Sequence, residues 1–469
     1  MNVARLASLP RLRVKWSARR TEFTLLLVVI TAGCLGFVLV TAAGAVRAGL
    51  DPAPALPAAL APPAVVAASL LGLHLLLRRR GSEAEPLLLP VVGLLVMLGL
   101  TLIWRLRPPE AVWQQLTRGW LPGVALAGLL VARADLVERV RRDWPALISL
   151  TGLLLLLLTA FIGVVDESGA RLSLRLGPLP AIQTSELVKL ALIIFLAWYI
   201  EAEGERAEAR ARSLGWMRFP ALKYLFPGVL YVSLATLALV RMSDFGAILI
   251  LGVLFLTMLY AGLEARVFWP MAAIGALLVL AVGFVLAIAW RVPDIMQARW
   301  AAYLNPWSQA PLLVNGQPSG LTISDGPGYQ IQQAIYAFIA GGATGAGLGF
   351  GSPNNVPLAH SDMIFAAVGE ELGALGALAV LTLFGVLLLR TLRLGLILPR
   401  AQVFERLLVV GIGAHLFTQM FIMVGGTLNL LPLTGITVPF LSQGGVALLV
   451  NVVEIALVLS LAQRGEPAA

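Results

Sequence analysis

Long apolar stretches alternate with short polar connections along almost the whole chain. A membrane-spanning helix needs about 20 mainly apolar residues. Runs of that kind fall near 23–46, 56–77, 86–104, 118–133, 145–165, 184–201, 222–241, 245–263, 267–290, 363–390, 402–426 and 434–462. The pattern predicts an all-α polytopic membrane protein with about twelve transmembrane helices. Pro57, Pro62 and Pro63 predict a kink or a late start in the second. Residues 202–220 carry mixed charge and read as a solvated, partly helical connection. Residues 291–361, rich in Gly, Pro, Ser and Asn, read as the single long loop. A loop of that length without evident elements either works or lacks structure. Within it, residues 331–340 are apolar and aromatic enough to lie along a membrane surface.

Composition agrees with the pattern. Hydrophobic residues make up 59% and charged residues 13%, with a mean hydropathy of +0.89, whereas soluble domains carry about 25% charge. The net charge of +9 reads as orientation charge rather than a nucleic-acid surface, because Lys and Arg favour cytoplasmic loops. With the N-terminus inside, 24 of the 34 basic residues fall on inner segments and 9 on outer ones, with Lys189 inside the membrane. Both termini are then expected in the cytoplasm, and the 291–361 loop outside. The first run is too long for a signal-peptide core of roughly 7–15 residues, which predicts an uncleaved first helix. One Cys and three His exclude a disulfide framework and leave little for zinc or haem. A metal would have to be held by oxygen ligands, as Mg²⁺ or Mn²⁺ is. Gly341, Gly342, Gly345, Gly347, Gly349 and Gly351 imitate a nucleotide loop, but no strand precedes them and no GK[ST] follows. Tight backbone packing or a re-entrant turn is the expectation there, with no nucleotide.

The candidate chemistry centres on 357–371. Asp362 stands where the loop becomes a membrane helix. Such an acid is either a helix-start residue, favoured by the helix dipole, or a base at the water–membrane boundary. Glu370 and Glu371 follow about two turns on. Helical spacing puts Glu370 roughly 80° and Glu371 roughly 180° round from Asp362, which favours Glu370 as the cavity-facing acid. Glu186 and Lys189 share one helical face and read equally as a helix-binding ion pair or as a Lys aimed at an anionic head group. Asp244, after Arg241, is a candidate for pairing or metal holding. Arg171, Arg175 and Arg299 lie on the outer side, where positive charge is scarce, and are candidate diphosphate binders. His415 and Gln419, four apart, read as interhelical hydrogen bonders. Glu454 has no evident partner.

These motifs resemble the SEDS family of RodA, FtsW and SpoVE, the shape, elongation, division and sporulation proteins. The resemblance rests on GARLSLRLGPLPAIQTSELVKLA at 169–191, SDFGAILIL at 243–251, NPW at 305–307, GYQIQQAIYAFIAGGATGAGLGFG at 328–351, HSDMIFAAVGEELG at 360–373 and LLPLTGITVPFLSQGG at 430–445. It covers roughly 86–462. It implies a ten-helix core, here preceded by two extra helices within 1–85 and followed by a tail at 463–469. The chain departs from the family pattern at Leu172 and Ser173 after Arg171, at Thr184, and at Gln443, Val446 and Ala447.

The resemblance implies a peptidoglycan glycosyltransferase of the bacterial cytoplasmic membrane, polymerising lipid II on the outer face in elongation or division. Asp362 falls on the family's essential loop aspartate. Glu186, Lys189, Arg171, Arg299, Asp244, Glu370 and Ser442 form the expected substrate-binding set. A class B penicillin-binding protein is the implied partner, with the lipid bilayer around both and no nucleic acid. Two other readings stand beside it: a lipid II flippase, which buried charges and many helices suit, and a non-catalytic scaffold of a cell-wall synthesis complex, to which the departures at Ser173, Thr184 and Gln443 lend weight.

Overall fold

The computed structural model describes residues 18–80, 85–164, 172–175, 177, 181–219, 222–224, 226–265, 267, 269, 294–314 and 317–462. The helices in chain order are α1 (Ala18–Arg47), α2 (Leu56–Arg79), α3 (Leu88–Leu106), α4 (Pro109–Gln115), α5 (Leu121–Ala132), α6 (Ala134–Arg142), α7 (Pro145–Ile162), α8 (Thr184–Ala209), α9 (Phe226–Met242), α10 (Phe245–Gly262), α11 (Asp294–Leu304), α12 (Pro327–Gly341), α13 (Ile364–Ile397), α14 (Val403–Thr427) and α15 (Gly445–Ala462). Among the described residues, eight helices are long and apolar enough to cross a membrane, or nine if Pro109–Ala132 and Asp135–Arg142 count as one bent span. Helices also stand at the expected runs 184–201 and 222–241, as α8 and the 17-residue α9. Apart from residues 267 and 269, the expected span 267–290 lies outside the described residues.

Three helices, α3, α14 and α15, are mostly buried and form the centre. The first two helices pack along α3. A Cβ on Gly36 would sit 3.1 Å from Thr101 Oγ1, and Trp104 Nε1 donates to Thr41 Oγ1 at 3.1 Å. Small residues allow backbones to approach this closely in membranes. Pro62 and Pro63 are accommodated inside α2.

Polar contacts sort the helix termini into two ends. At one end, Arg141 of α6 pairs with Glu201 of α8 at 2.8 Å and Glu405 of α14 at 3.2 Å. At the other lie the termini of α1, α3 and α14, together with α11 and α12.

Two expectations are corrected here. The long loop is not without elements. It holds α11, a hairpin of Pro311–Val314 with Gln317–Thr322, and α12. The apolar face of α12 is buried: Ala334 and Ala337 pack with Val356, Ala359, Met363 and Ala366. The expected last span, 434–462, is helical only from Gly445. Residues 434–444 form an irregular segment with a turn at 439–441 instead, buried at Ile436 and at 438–442.

Tight glycine packing joins α12 to α13. A Cβ on Gly341 would fall 2.0 Å from Gly369 O, and one on Gly373 would fall 2.3 Å from Gly345 N. Gly373 has φ 69° and ψ −172° and interrupts α13, a conformation essentially reserved for glycine. In an unbroken helix the carbonyls of Glu370 and Glu371 would accept from Ala374 and Leu375. Here they accept from Ala346 and Gly347 at 2.9 and 3.0 Å, while Ala374 and Leu375 donate to Gly342 and Ala343. The glycine-rich loop takes over the helix's hydrogen bonds, so the break leaves these backbone groups satisfied.

Candidate active site

Asp362 occupies a tight turn directly before α13. Met363, not Asp362, holds the N-cap position, so the helix-start reading is not what places the acid. Ser361 N and Met363 N both donate to Leu358 O, at 2.9 and 3.1 Å. Met363 and Ala359 anchor the turn from below, at 0% and 3% exposure, and leave Asp362 half-buried.

The 434–444 segment forms the opposite wall. Ser442 Oγ donates to Ser361 O at 2.7 Å and accepts from Val438 N at 2.8 Å. Gln443 N donates to His360 O at 2.9 Å. Gln115 holds the segment from the other side, donating to Ser442 O at 3.1 Å and accepting from Gly444 N at 2.9 Å. Gly435, at φ +75°, gives room for the acid. A Cβ there would lie 3.5 Å from Asp362 Oδ2 and 3.8 Å from Arg299 Nη2. The guanidinium of α11 and the carboxylate before α13 therefore converge on one glycine. Arg299 Nη1 also donates to Thr434 O at 3.4 Å. Thr434 Oγ1 and Gln443 Oε1 are buried with no hydrogen-bond partner among the described residues. Polar groups buried so are satisfied by water or a ligand in most proteins.

A deeper polar cluster supports this wall. Lys189 Nζ pairs with Glu186 Oε2 at 2.8 Å and donates to Gln419 Oε1 at 3.1 Å. Gln419 Nε2 in turn donates to Thr437 O and Oγ1, at 3.0 and 3.2 Å. Asp244 caps α10 by accepting from Ala247 N at 3.0 Å, and the Ser185 hydroxyl and the charges of Lys189 and Glu186 act on it. Lys189, Glu186 and Asp244 are 1%, 2% and 6% exposed. The Glu186–Lys189 ion pair lies within α8, and Gln419 links it to α14. His415 Nδ1 lies 2.8 Å from Glu454 Oε1, which supplies the partner for Glu454 that its neighbours in sequence do not reveal.

Of the expected substrate-binding residues that are described, only Arg299 shares the surroundings of Asp362 with an accessible side chain. Glu370 turns to the glycine-rich loop, as Glu371 does. Its carboxylate accepts from Ser352 N at 2.5 Å, and Glu371 accepts from Gly349 N at 3.2 Å and pairs with Arg105 at 3.4 Å. Both acids face the glycine-rich loop because that loop wraps the broken helix. Ser442 is buried and bonds the turn at Ser361 O. Arg171 lies outside the described residues. The described residues include no group of three His, Cys, Asp or Glu that could hold a metal ion.

His360 was not singled out by the sequence pattern. It is half-buried beside Asp362, and its imidazole is pushed below the ordinary histidine value, first by burial and then by the charge of Arg107. A group that protonates less readily when folded adds stability that is present above the ordinary value of 6.5 and lost as pH falls through the lower folded value. Thermal stability should therefore fall more steeply from about pH 7 to about pH 5 in the wild type than in His360→Gln. Equal slopes would remove His360 from the acid response.

Comparison with known proteins follows the same outline. The family model for cell cycle proteins of the FtsW, RodA and SpoVE type matches residues 85–466. The peptidoglycan glycosyltransferase RodA of Mycobacterium tuberculosis is 33% identical over 397 residues, covering 82% of this chain and 79% of the relative. The probable peptidoglycan glycosyltransferase FtsW of Nitrosococcus halophilus is 35% identical over 378 residues, covering 78% and 80%. A chain from a peptidoglycan synthase complex that coordinates polymerisation and crosslinking superposes with a TM-score of 0.62 at 25% identity, covering 81% of this chain and 98% of that one. The crystal structure of RodA from Thermus thermophilus shares the fold, with a TM-score of 0.52 at 24% identity, covering 81% and 97%.

Proposed function

The chain belongs to the FtsW/RodA/SpoVE family and is an integral membrane peptidoglycan glycosyltransferase; we propose that it polymerises lipid II with Asp362 as general base. The observation that carries this reading is the convergence of Asp362 and Arg299 on Gly435. Asp362 takes the proton from the 4-hydroxyl of the acceptor GlcNAc. The freed oxygen attacks the anomeric carbon of the donor with inversion, and undecaprenyl diphosphate leaves. A positioned base contributes about 10²–10⁴-fold. Arg299 lies where a guanidinium would meet the charge that develops on the departing diphosphate. The unpartnered Thr434 Oγ1 and Gln443 Oε1 would take sugar hydroxyls. The diphosphate ester is already activated, so the reaction needs no nucleotide.

Asp362 and Arg299 do not by themselves make a metal cage, and the carboxylates of Glu370 and Glu371 are engaged elsewhere. Mg²⁺ or Mn²⁺ would enter with the diphosphate oxygens, and no step here depends on it.

The bias of 24 basic residues to 9 supports cytoplasmic termini and a site on the outer face of the bacterial cytoplasmic membrane. Likeness to a chain of a synthase complex supports a class B penicillin-binding protein as partner. The test is polymerisation of fluorescent lipid II by purified protein, alone and with that partner. Glycan ladders are expected. No product with partner and Mn²⁺ present would favour the flippase or the scaffold.

A further inference from the structure

The first two helices lie outside the residues matched by the family model, which begin at 85, yet the end of α1 reaches the loop that leads to Asp362. Arg47 Nη1 donates to Gly349 O at 2.8 Å and to Gly351 O at 3.0 Å. Arg105 Nη2 donates to Gly351 O at 3.2 Å. The same stretch is held from its other side, where Gly349 N and Ser352 N donate to Glu371 and Glu370. Two cations thus hold its carbonyls and two carboxylates its amides. Gly349 lies so close to α1 that a Cβ there would stand 2.5 Å from Ala43 Cβ. From Ser352 the chain passes through the 3₁₀ turn Pro353–Asn355 and the buried Val356 and Ala359 into the Asp362 turn.

We infer that Arg47 is a positioning residue for the catalytic turn, and that the N-terminal helix pair braces the 349–352 loop and through it Asp362. The inference rests on the reading of Asp362 as the base. An arginine at a bilayer boundary would otherwise turn its head to water. Arg47 instead places one nitrogen on two carbonyls 302 and 304 residues away in the chain. Hydrogen bonds from a charged donor are the stronger kind, and their loss should loosen the loop while the hydrophobic helix contacts remain.

The experiment compares wild type, Arg47→Ala and Arg47→Lys. Amide hydrogen exchange across 345–356 is measured beside kcat and KM for lipid II. Arg47→Ala should exchange about tenfold faster at Gly349 and Ser352 and lose about tenfold in kcat, with KM little changed. Arg47→Lys should recover part of both, since an ammonium still donates. Unchanged exchange overturns the inference whatever the activity, and so does faster exchange spread evenly over the whole bundle. Faster exchange confined to the loop in Arg47→Ala, alongside a wild type that makes no glycan, would leave the brace standing and remove the polymerase reading. If Arg47→Ala does not fold, Ala43→Leu, which presses on Gly349 without altering charge, is expected to give the same local loosening.

Discussion

Asp362→Asn is expected to abolish glycan polymerisation, with a loss of about 10²–10⁴-fold, while the protein keeps its fold and its thermal stability. The amide keeps the shape of the side chain beside Gly435 and Arg299 but cannot accept the acceptor's proton. The turn has holds other than the carboxylate. It is held by backbone bonds to Leu358 O, by Ser442 Oγ on Ser361 O and by the buried Met363. Ladder formation from lipid II, measured with the wild type in parallel, decides the matter. Equal product from both would remove Asp362 from the chemistry and leave the enzyme in search of another base. A variant that melts far below the wild type would show that the acid holds the turn, and the comparison would then pass to Asp362→Glu, which keeps the base but displaces it.

The membrane spans were legible because each is a long apolar run, and hydropathy reads side chains. What hydropathy does not read is backbone pairing. Residues 434–444 carry Ile436, Val438, Phe440 and Leu441 and so join the last apolar run, yet they form no helix, and Gln115, His360 and Ser442 satisfy backbone groups there instead. Inside the long loop the apolar run 331–340 was legible but its partner was not: α12 buries mainly alanines and glycines, against Val356, Ala359, Met363 and Ala366 rather than along a membrane surface. Asp362 stood out as an acid at a membrane boundary and Arg299 as a rare outer cation. Their meeting at Gly435 joins residues far apart in the chain, and spacing carries no such information. The angle argument that favoured Glu370 assumed that the surroundings of one face only were polar. The glycine-rich loop wraps the helix end and engages both acids, and Arg47 and Arg105, two of the nine outer basic residues, are the cations that complete it.

Lys189→Met should be the most destabilising of these substitutions, by roughly 3–5 kcal/mol, because it leaves a buried charge without its partner. Glu186 is 2% exposed, with Lys189 Nζ 2.8 Å away, and Gln419 Oε1 loses the same donor. The damage should travel outward, since the Gln419 amide also holds Thr437 in the segment that walls Asp362. Polymerisation is therefore expected to fall with stability, although Lys189 itself is only 1% exposed. The discriminating variant is the pair Glu186→Gln with Lys189→Met. Replacing both members of a buried ion pair is often close to neutral, so thermal unfolding in detergent should return towards the wild type. If Lys189 serves the scaffold, polymerisation returns with it. If stability returns and polymerisation does not, the ammonium acts on the diphosphate directly, and the buried cluster must open during the reaction to let it do so.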